Sequence, residues 1–325
     1  MTSHFDRRHA LKLLGLALFS SQLDAGTDKP LRGIFPIMAT PFTASNQVDY
    51  EDLEKEVDFM TRCGANGMVW PQHASELLYL SREERRHGMR VLAKAVKGKK
   101  PALVLGVQAA TTEDAVEYAE LAEELSPDAV IAIPPTGAKS LDDFREYYRT
   151  LSRISKRPFF IQTSGGAPGI NPTVDFLIEM ARELPNFGYV KEEYSPIYER
   201  VHALAAARPP IKAVFTGPFD FYVMRMGCDG CMPGPVYADI DVQVWDLYHA
   251  GHEENAREIF SKRLLMVNAE QNIPGIRPYI MKKRGVFTTA FSRRESPNLT
   301  ADAIREIDFE FEALKPYFKV GPNVL

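Results

Sequence analysis

Cysteine is scarce, with three among 325 residues. Three thiols cannot build the disulfide framework of a small secreted scaffold, so stability has to come from a hydrophobic core. An excess of one charge is also missing. Lys and Arg number 39 against 43 Asp and Glu, a formal net charge of −4. The short basic runs Lys97-Gly98-Lys99-Lys100 and Lys282-Lys283-Arg284 stand alone and read as solvated surface, so no nucleic-acid partner is expected. Beyond the N-terminal segment no apolar run is long enough to cross a bilayer, and no membrane span is expected in the mature chain. A glycine-rich phosphate loop is lacking as well. Met38-Ala39-Thr40-Pro41-Phe42 follows the first apolar run, which argues against a nucleotide-binding doubly wound sheet. The lone CxxC, Cys228-Asp229-Gly230-Cys231, has neither a second CxxC nor an HxxxH to complete a zinc site. It follows a predicted helix, Asp220 to Gly227, where a redox pair needs its first thiol at a helix N-terminus. It reads as two small residues at a helix-to-strand turn. No metal and no separate cofactor are expected.

The first 28 residues read as an address outside the fold. Arg7-Arg8 precedes an apolar run from Ala10 to Phe19, and Leu23-Asp24-Ala25 offers a small-residue cleavage site before Gly26. The stretch Asp6-Arg7-Arg8-His9-Ala10-Leu11-Lys12 resembles the twin-arginine export signal, which implies a periplasmic or secreted protein.

From Gly33 onward, with 45% hydrophobic and 25% charged residues overall, short apolar runs alternate with helical patterns. The runs are Gly33–Thr40, Gly67–Pro71, Ala102–Val107, Ala129–Pro135, Pro158–Gln162, Gly188–Lys191, Ala213–Gly217 and Gly230–Gly234. Continuous Val, Ile and Phe suit strands buried on both faces. Ser81-Arg82-Glu83-Glu84 and Thr111-Thr112-Glu113-Asp114 read as capping boxes, and Asn171-Pro172 and Ser195-Pro196 place proline at the first helical position. Eight strand-helix alternations with right-handed crossovers predict a (β/α)₈ TIM barrel. A long helical region, Ala238 to about Asn272, and a helix from Thr300 to Phe318 extend it, with residues 29–325 forming one domain.

In such barrels the reacting groups sit at the C-terminal ends of strands. Lys191 ends the sixth run, and alternation puts Tyr189, Lys191 and Glu193 on one face. Burial favours the neutral form of an amine, which is the form that attacks a carbonyl. Position alone also permits Lys191 to face outward and pair with Glu192 or Glu193.

Gly33-Ile34 through Ala39-Thr40-Pro41-Phe42, Val48-Asp49, Gly64-Ala65-Asn66-Gly67, Ser75-Glu76 through Leu80-Ser81-Arg82-Glu83-Glu84-Arg85, Pro134-Pro135 and Tyr189-Val190-Lys191-Glu192 together resemble the dihydrodipicolinate synthase / N-acetylneuraminate lyase family. The resemblance covers nearly all of the mature chain. It implies a (β/α)₈ barrel with extra C-terminal helices, a homo-oligomer, commonly a tetramer, and a Schiff base between Lys191 and a small 2-oxo acid. The covalent imine then replaces any cofactor.

The sequence departs from the family at its relay and clamp. Where the family reads G-T-T-G-E, this chain has Gln72-His73-Ala74-Ser75-Glu76. Gln162-Thr163 stands for the Tyr-Asn that carries the proton shuttle, Ala167 for a carboxylate-binding arginine, and Gly137 for a tyrosine lent by a neighbour. An amide hydrogen-bonds but does not exchange protons usefully at neutral pH. Synthase chemistry on pyruvate is therefore not expected. His73 and Glu193 are the new titratable candidates for the acid and base that imine chemistry needs. Thr40, Ser75, Glu76, Gln162, Thr163 and Gly217 are the candidate substrate contacts, with an orienting role for Glu76 equally in view. The expected function is an exported lyase of aldolase or dehydratase type acting on a 2-oxo acid or a sugar-derived one. A noncatalytic solute-binding barrel and an enzyme using Lys191 without an imine are the alternatives.

Overall fold

A computed structural model describes residues 29–217, 219–294 and 299–321; the leader read at residues 1–28 lies outside them. Eight parallel strands run β1 (Gly33–Ile34), β2 (Gly67–Trp70), β3 (Ala102–Gly106), β4 (Ala129–Ala132), β5 (Phe159–Gln162), β6 (Tyr189–Glu192), β7 (Ala213–Thr216) and β8 (Gly230–Cys231). Their order is β1-β8-β7-β6-β5-β4-β3-β2. A parallel bridge, Ile37 to Val69, brings the two ends together, so the sheet closes into the expected barrel.

The strands are shorter than the apolar runs. The first run is the clearest case: β1 itself covers only Gly33–Ile34. The chain stays in the wall through Ile37 N–H to Pro233 O (2.8 Å) and Val69 N–H to Pro36 O (3.0 Å).

Helices α1 (Tyr50–Cys63), α2 (Arg82–Ala95), α3 (Thr112–Leu125), α4 (Leu141–Ile154), α5 (Val174–Glu183), α6 (Ile197–Ala206) and α7 (Phe221–Arg225) follow the strands in turn. Their starts are written locally. Ser81 and Glu84 form the capping box predicted for α2, and Ser140 and Asp143 form one at α4. Thr111 caps α3, but Asp114 returns its bond to the Thr111 hydroxyl (3.0 Å) instead of the backbone. Neither proline sits at a first helical position. Thr173 caps α5 two residues after Asn171, and Pro196 is itself the N-cap residue of α6.

The predicted helix from Ala238 to Asn272 is two, α8 (Ala238–His249) and α9 (Glu253–Asn272), broken at Gly251 with φ 83°. Helix α10 (Ile276–Lys283) was not expected, and α11 (Ala301–Leu314) is capped by Thr300 as read. Buried Asp239 binds Arg284 at 2.8 Å and accepts the N–H groups of Lys319 (2.8 Å) and Val320 (3.1 Å), tying α8, the end of α10 and the C-terminal segment together. Removing one partner of such a pair costs about 3–5 kcal/mol, because the other charge stays buried alone.

The barrel interior is a separate apolar layer. Phe35, Ile37, Val69, Val104, Ile131, Phe160, Phe215 and Met232 belong to it, with Tyr189 packed against it. Phe215 meets Phe35 and Phe160 edge-to-face at 5.0 and 5.2 Å. This packed floor leaves polar chemistry only the layer above, at the strands' C-terminal ends.

Candidate active site

Lys191 stands directly on that floor. Its Cα pairs with Gln162 on β5 and Phe215 on β7. Partners in a parallel ladder point to one face, so all three turn inward. The lysine is 2% exposed and does not face out. It pairs with Glu193 at 2.9 Å and donates to Gln162 Oε1 at 3.3 Å.

The ring closes through a residue that reading the sequence had passed over. Gln162 Nε2 donates to Ser164 Oγ (3.2 Å), and the Ser164 hydroxyl donates to Glu193 Oε2. Ser164 lies two residues past Gln162, so the same alternation that placed Gln162 would have placed it.

Burial alone would raise the Glu193 carboxyl. The Lys191 charge, the Ser164 hydroxyl and His73 outweigh it and hold the group below the ordinary carboxylate value. Glu193 is thus ionised at neutral pH beside a buried amine.

His73 opens a 3-10 turn, His73–Ser75, after β2. Its imidazole is shifted down, first by partial burial, then by Lys191 and Arg294, with Glu193 pulling the other way. It is therefore neutral at pH 7 and able to exchange a proton. Two glycines make room for these groups. A Cβ on Gly165 (φ 83°) would collide with His73 Nε2, and one on Gly217 would collide with Glu193 Oε1. Gly217, expected as a substrate contact, is occupied by the carboxylate of this chain. The Gly165-Gly166 loop admits a close approach, and it is an imidazole that approaches.

The remaining expected contacts serve the scaffold. Thr40 donates to Ser75 O (2.5 Å) and accepts from Trp70 Nε1 (3.1 Å). Ser75 Oγ donates to Met38 O (2.6 Å) and accepts from Gln72 N–H (3.1 Å). Trp70 is core, while Tyr79 is exposed. Glu76, with φ 58°, turns its carboxylate to a distant segment, accepting from Ser292 Oγ (2.8 Å), Arg293 N–H (2.8 Å) and Arg294 N–H (2.9 Å). Arg293 then reaches Glu84 at 2.7 Å, and this segment fastens the loop that carries His73. Thr163 points to the opposite side of β5 from Gln162. Its hydroxyl donates to Glu192 Oε1 (2.7 Å) and accepts from Glu193 N–H (2.9 Å).

Cys228 and Cys231 are buried free thiols. Burial pushes Cys231 up, next to Thr216 Oγ1 at 3.3 Å, the reverse of what a reactive thiolate requires. Among the described residues no helix is long and apolar enough to cross a membrane.

The profile of the dihydrodipicolinate synthetase family fits residues 30–303. The chain belongs to that family. Among its relatives, the 4-hydroxy-tetrahydrodipicolinate synthase of Chlorobium chlorochromatii is 26% identical, over 87% of this chain and 97% of its own. The L-2-keto-3-deoxyarabonate dehydratase of Azospirillum brasilense is 25% identical, over 85% of this chain and 92% of its own. The crystal structure of the Rhodopseudomonas palustris dihydrodipicolinate synthase shares the fold with a TM-score of 0.79 at 22% identity, covering 87% of this chain and 97% of that one. Family membership and a relative named as a dehydratase support a lyase- or aldolase-type function of the Schiff-base kind.

Proposed function

We propose that the protein is a Schiff-base-forming lyase that binds a 2-oxo acid, or a sugar-derived oxo acid, as an imine on Lys191. The closed ring of Lys191, Glu193, Ser164 and Gln162 in the barrel mouth carries this reading. Glu193 takes the place of the family's proton-shuttling tyrosine. It accepts a proton from the Lys191 ammonium, and the neutral amine adds to the C2 carbonyl to give a carbinolamine. Protonated Glu193 returns that proton to the carbinolamine hydroxyl, which leaves as water, and the iminium forms. Glu193 is then an anion again, beside the substrate carbons next to the imine, where it acts as base. Neutral His73, at the rim, exchanges protons with the departing group.

Borohydride trapping with a panel of 2-oxo acids, followed by peptide mass mapping, tests the reading. A mass gain confined to the Lys191 peptide and absent from Lys191→Met is expected. A protein that gains no mass there with any acid of the panel, while still turning one over, sinks it.

Export and self-association belong to the same proposal. Residues 1–28 direct the protein out of the cytoplasm, and Arg7→Lys with Arg8→Lys should retain it there on cell fractionation. Sedimentation of the mature protein should give a dimer or tetramer.

A further inference from the structure

The four-membered ring has a direction, and one residue sets it. An ionised carboxylate only accepts hydrogen bonds. The Ser164 hydroxyl must therefore donate its single proton to Glu193 Oε2, which leaves only its lone pairs for Gln162. Gln162 accordingly presents its NH₂ to Ser164 at 3.2 Å and its carbonyl oxygen to Lys191 Nζ at 3.3 Å. The Ser164 hydroxyl oxygen accepts from Gln162 Nε2 and so holds the NH₂ group turned away from the lysine. A flipped amide would point N–H at N–H.

Resting Lys191 fills two acceptors, Gln162 Oε1 and Glu193 Oε1. A protonated imine has one N–H and fills one. Imine formation must release the other acceptor. Gln162 gains nothing by release, because an amide does not carry protons at neutral pH. Released Glu193 is a base.

We propose that Ser164 is a positioning residue: by fixing the polarity of the Gln162 amide it makes Gln162 the keeper of the iminium N–H and frees Glu193 for the substrate. The inference rests on the imine reading above. It also fits the place of Ser164 on the loop after strand five, partly buried and two residues beyond Gln162 on the inward face. The titratable groups acting on Glu193 are Lys191 from its own strand and His73 from the loop after strand two. On the strand-seven side, Gly217 gives the cleared space that Glu193 occupies.

Three forms of the full chain, wild type, Ser164→Ala and Ser164→Thr, are compared with Glu193→Gln as reference. Pyruvate is the trapping probe, with borohydride, and the rate of adduct formation on Lys191 is followed against pH. Loss of a hydrogen bond to a charged group is expected to slow trapping about tenfold at the plateau and to move the acid limb up by about one pH unit. Ser164→Thr should restore both, and all three forms should melt within a few degrees of one another. A Ser164→Ala profile superimposable on wild type, or a threonine variant no better than alanine, overturns the proposal. Carboxyl ¹³C titration of Glu193, assigned with Glu193→Gln, gives a second readout that needs no imine. An upward shift in Ser164→Ala supports the ring polarity, and no shift overturns it. Wild type that traps no pyruvate while the titration shifts counts against the imine with this acid and leaves Ser164 as the group orienting Glu193.

Discussion

Glu192 and Glu193 are neighbours on one strand with the same side chain, and the barrel wall runs between them. Glu192 points outward and is fully buried. Its Oε1 accepts from Thr163 Oγ1 (2.7 Å), Glu193 N–H (3.0 Å) and Tyr194 N–H (2.8 Å), and its Oε2 makes an ion-pair contact with Arg200 of α6 at 2.9 Å. Glu193 points inward and pairs with Lys191 and Ser164. The outer carboxylate, with three donors on one oxygen and the Arg200 charge beside the other, holds strand, loop and helix in place. The inner one has one hydroxyl and one amine, both of which it shares with the chemistry. The difference between structure and function here is coordination: a carboxylate that can change partners can catalyse, and one that cannot is a rivet.

The comparison breaks hardest at the lysine. Lys191→Met should abolish borohydride trapping and turnover altogether, since no other amine replaces the nucleophile. Thermal melting checks that the variant is folded. Glu192→Ala should instead cost about 3–5 kcal/mol of stability, because it leaves Arg200 without its carboxylate, while the folded fraction keeps trapping. Denaturant unfolding alongside trapping per folded molecule separates the two effects. Glu193→Gln should show the opposite balance, with turnover down about 10²- to 10³-fold and a smaller stability loss than Glu192→Ala, because the amide still bonds Lys191 and Ser164. Equal stability losses in the Glu192 and Glu193 variants would remove the distinction between the two faces. Gly217→Ala should push the Glu193 carboxylate off Lys191 and slow trapping about tenfold, with a matching displacement of Glu193 in a crystal structure of the variant.

The smallest effect is one of pH. The folded-state pKa of Glu193 lies below its unfolded value, so the stability it contributes is complete above the ordinary carboxylate range and fades as pH falls through the depressed value. Trapping should therefore persist to below the ordinary carboxylate range and then fall together with that contribution. Glu84, held at about 2 against an ordinary 4.5 chiefly by Arg293, sharpens the test. Its contribution is present above pH 4.5 and lost as pH falls toward 2, so Glu84→Gln should flatten the melting temperature's acid dependence in that window.

How much of this was legible follows from the range of each interaction. The barrel, its order and the inward lysine were readable because period-two alternation and capping are local, and because the motifs around Lys191 resemble a family. Thr163 was misplaced where the family motif outweighed alternation: being next to Gln162 puts it on the other face. Gly217 was read as a substrate contact because a glycine's empty space does not announce its occupant. Helix α10 was not expected; Pro278 lies in its first turn, where its absent N–H has no partner to lose. The clasp on Glu76 joins residues 216 apart and leaves no trace in either local pattern.

That clasp sets an order of events in the life of the chain. Synthesis runs from the N-terminus, and every strand of the barrel, with Lys191, Glu193 and Ser164, is translated before the segment that fastens the His73 loop. A nascent chain that stops short of residue 292 therefore holds all eight strands and Lys191 but lacks the donors that bind Glu76. The order in which residues are joined thus differs from the order in which the site is completed: the eight strands come first, and the clasp at residues 292–294 follows them.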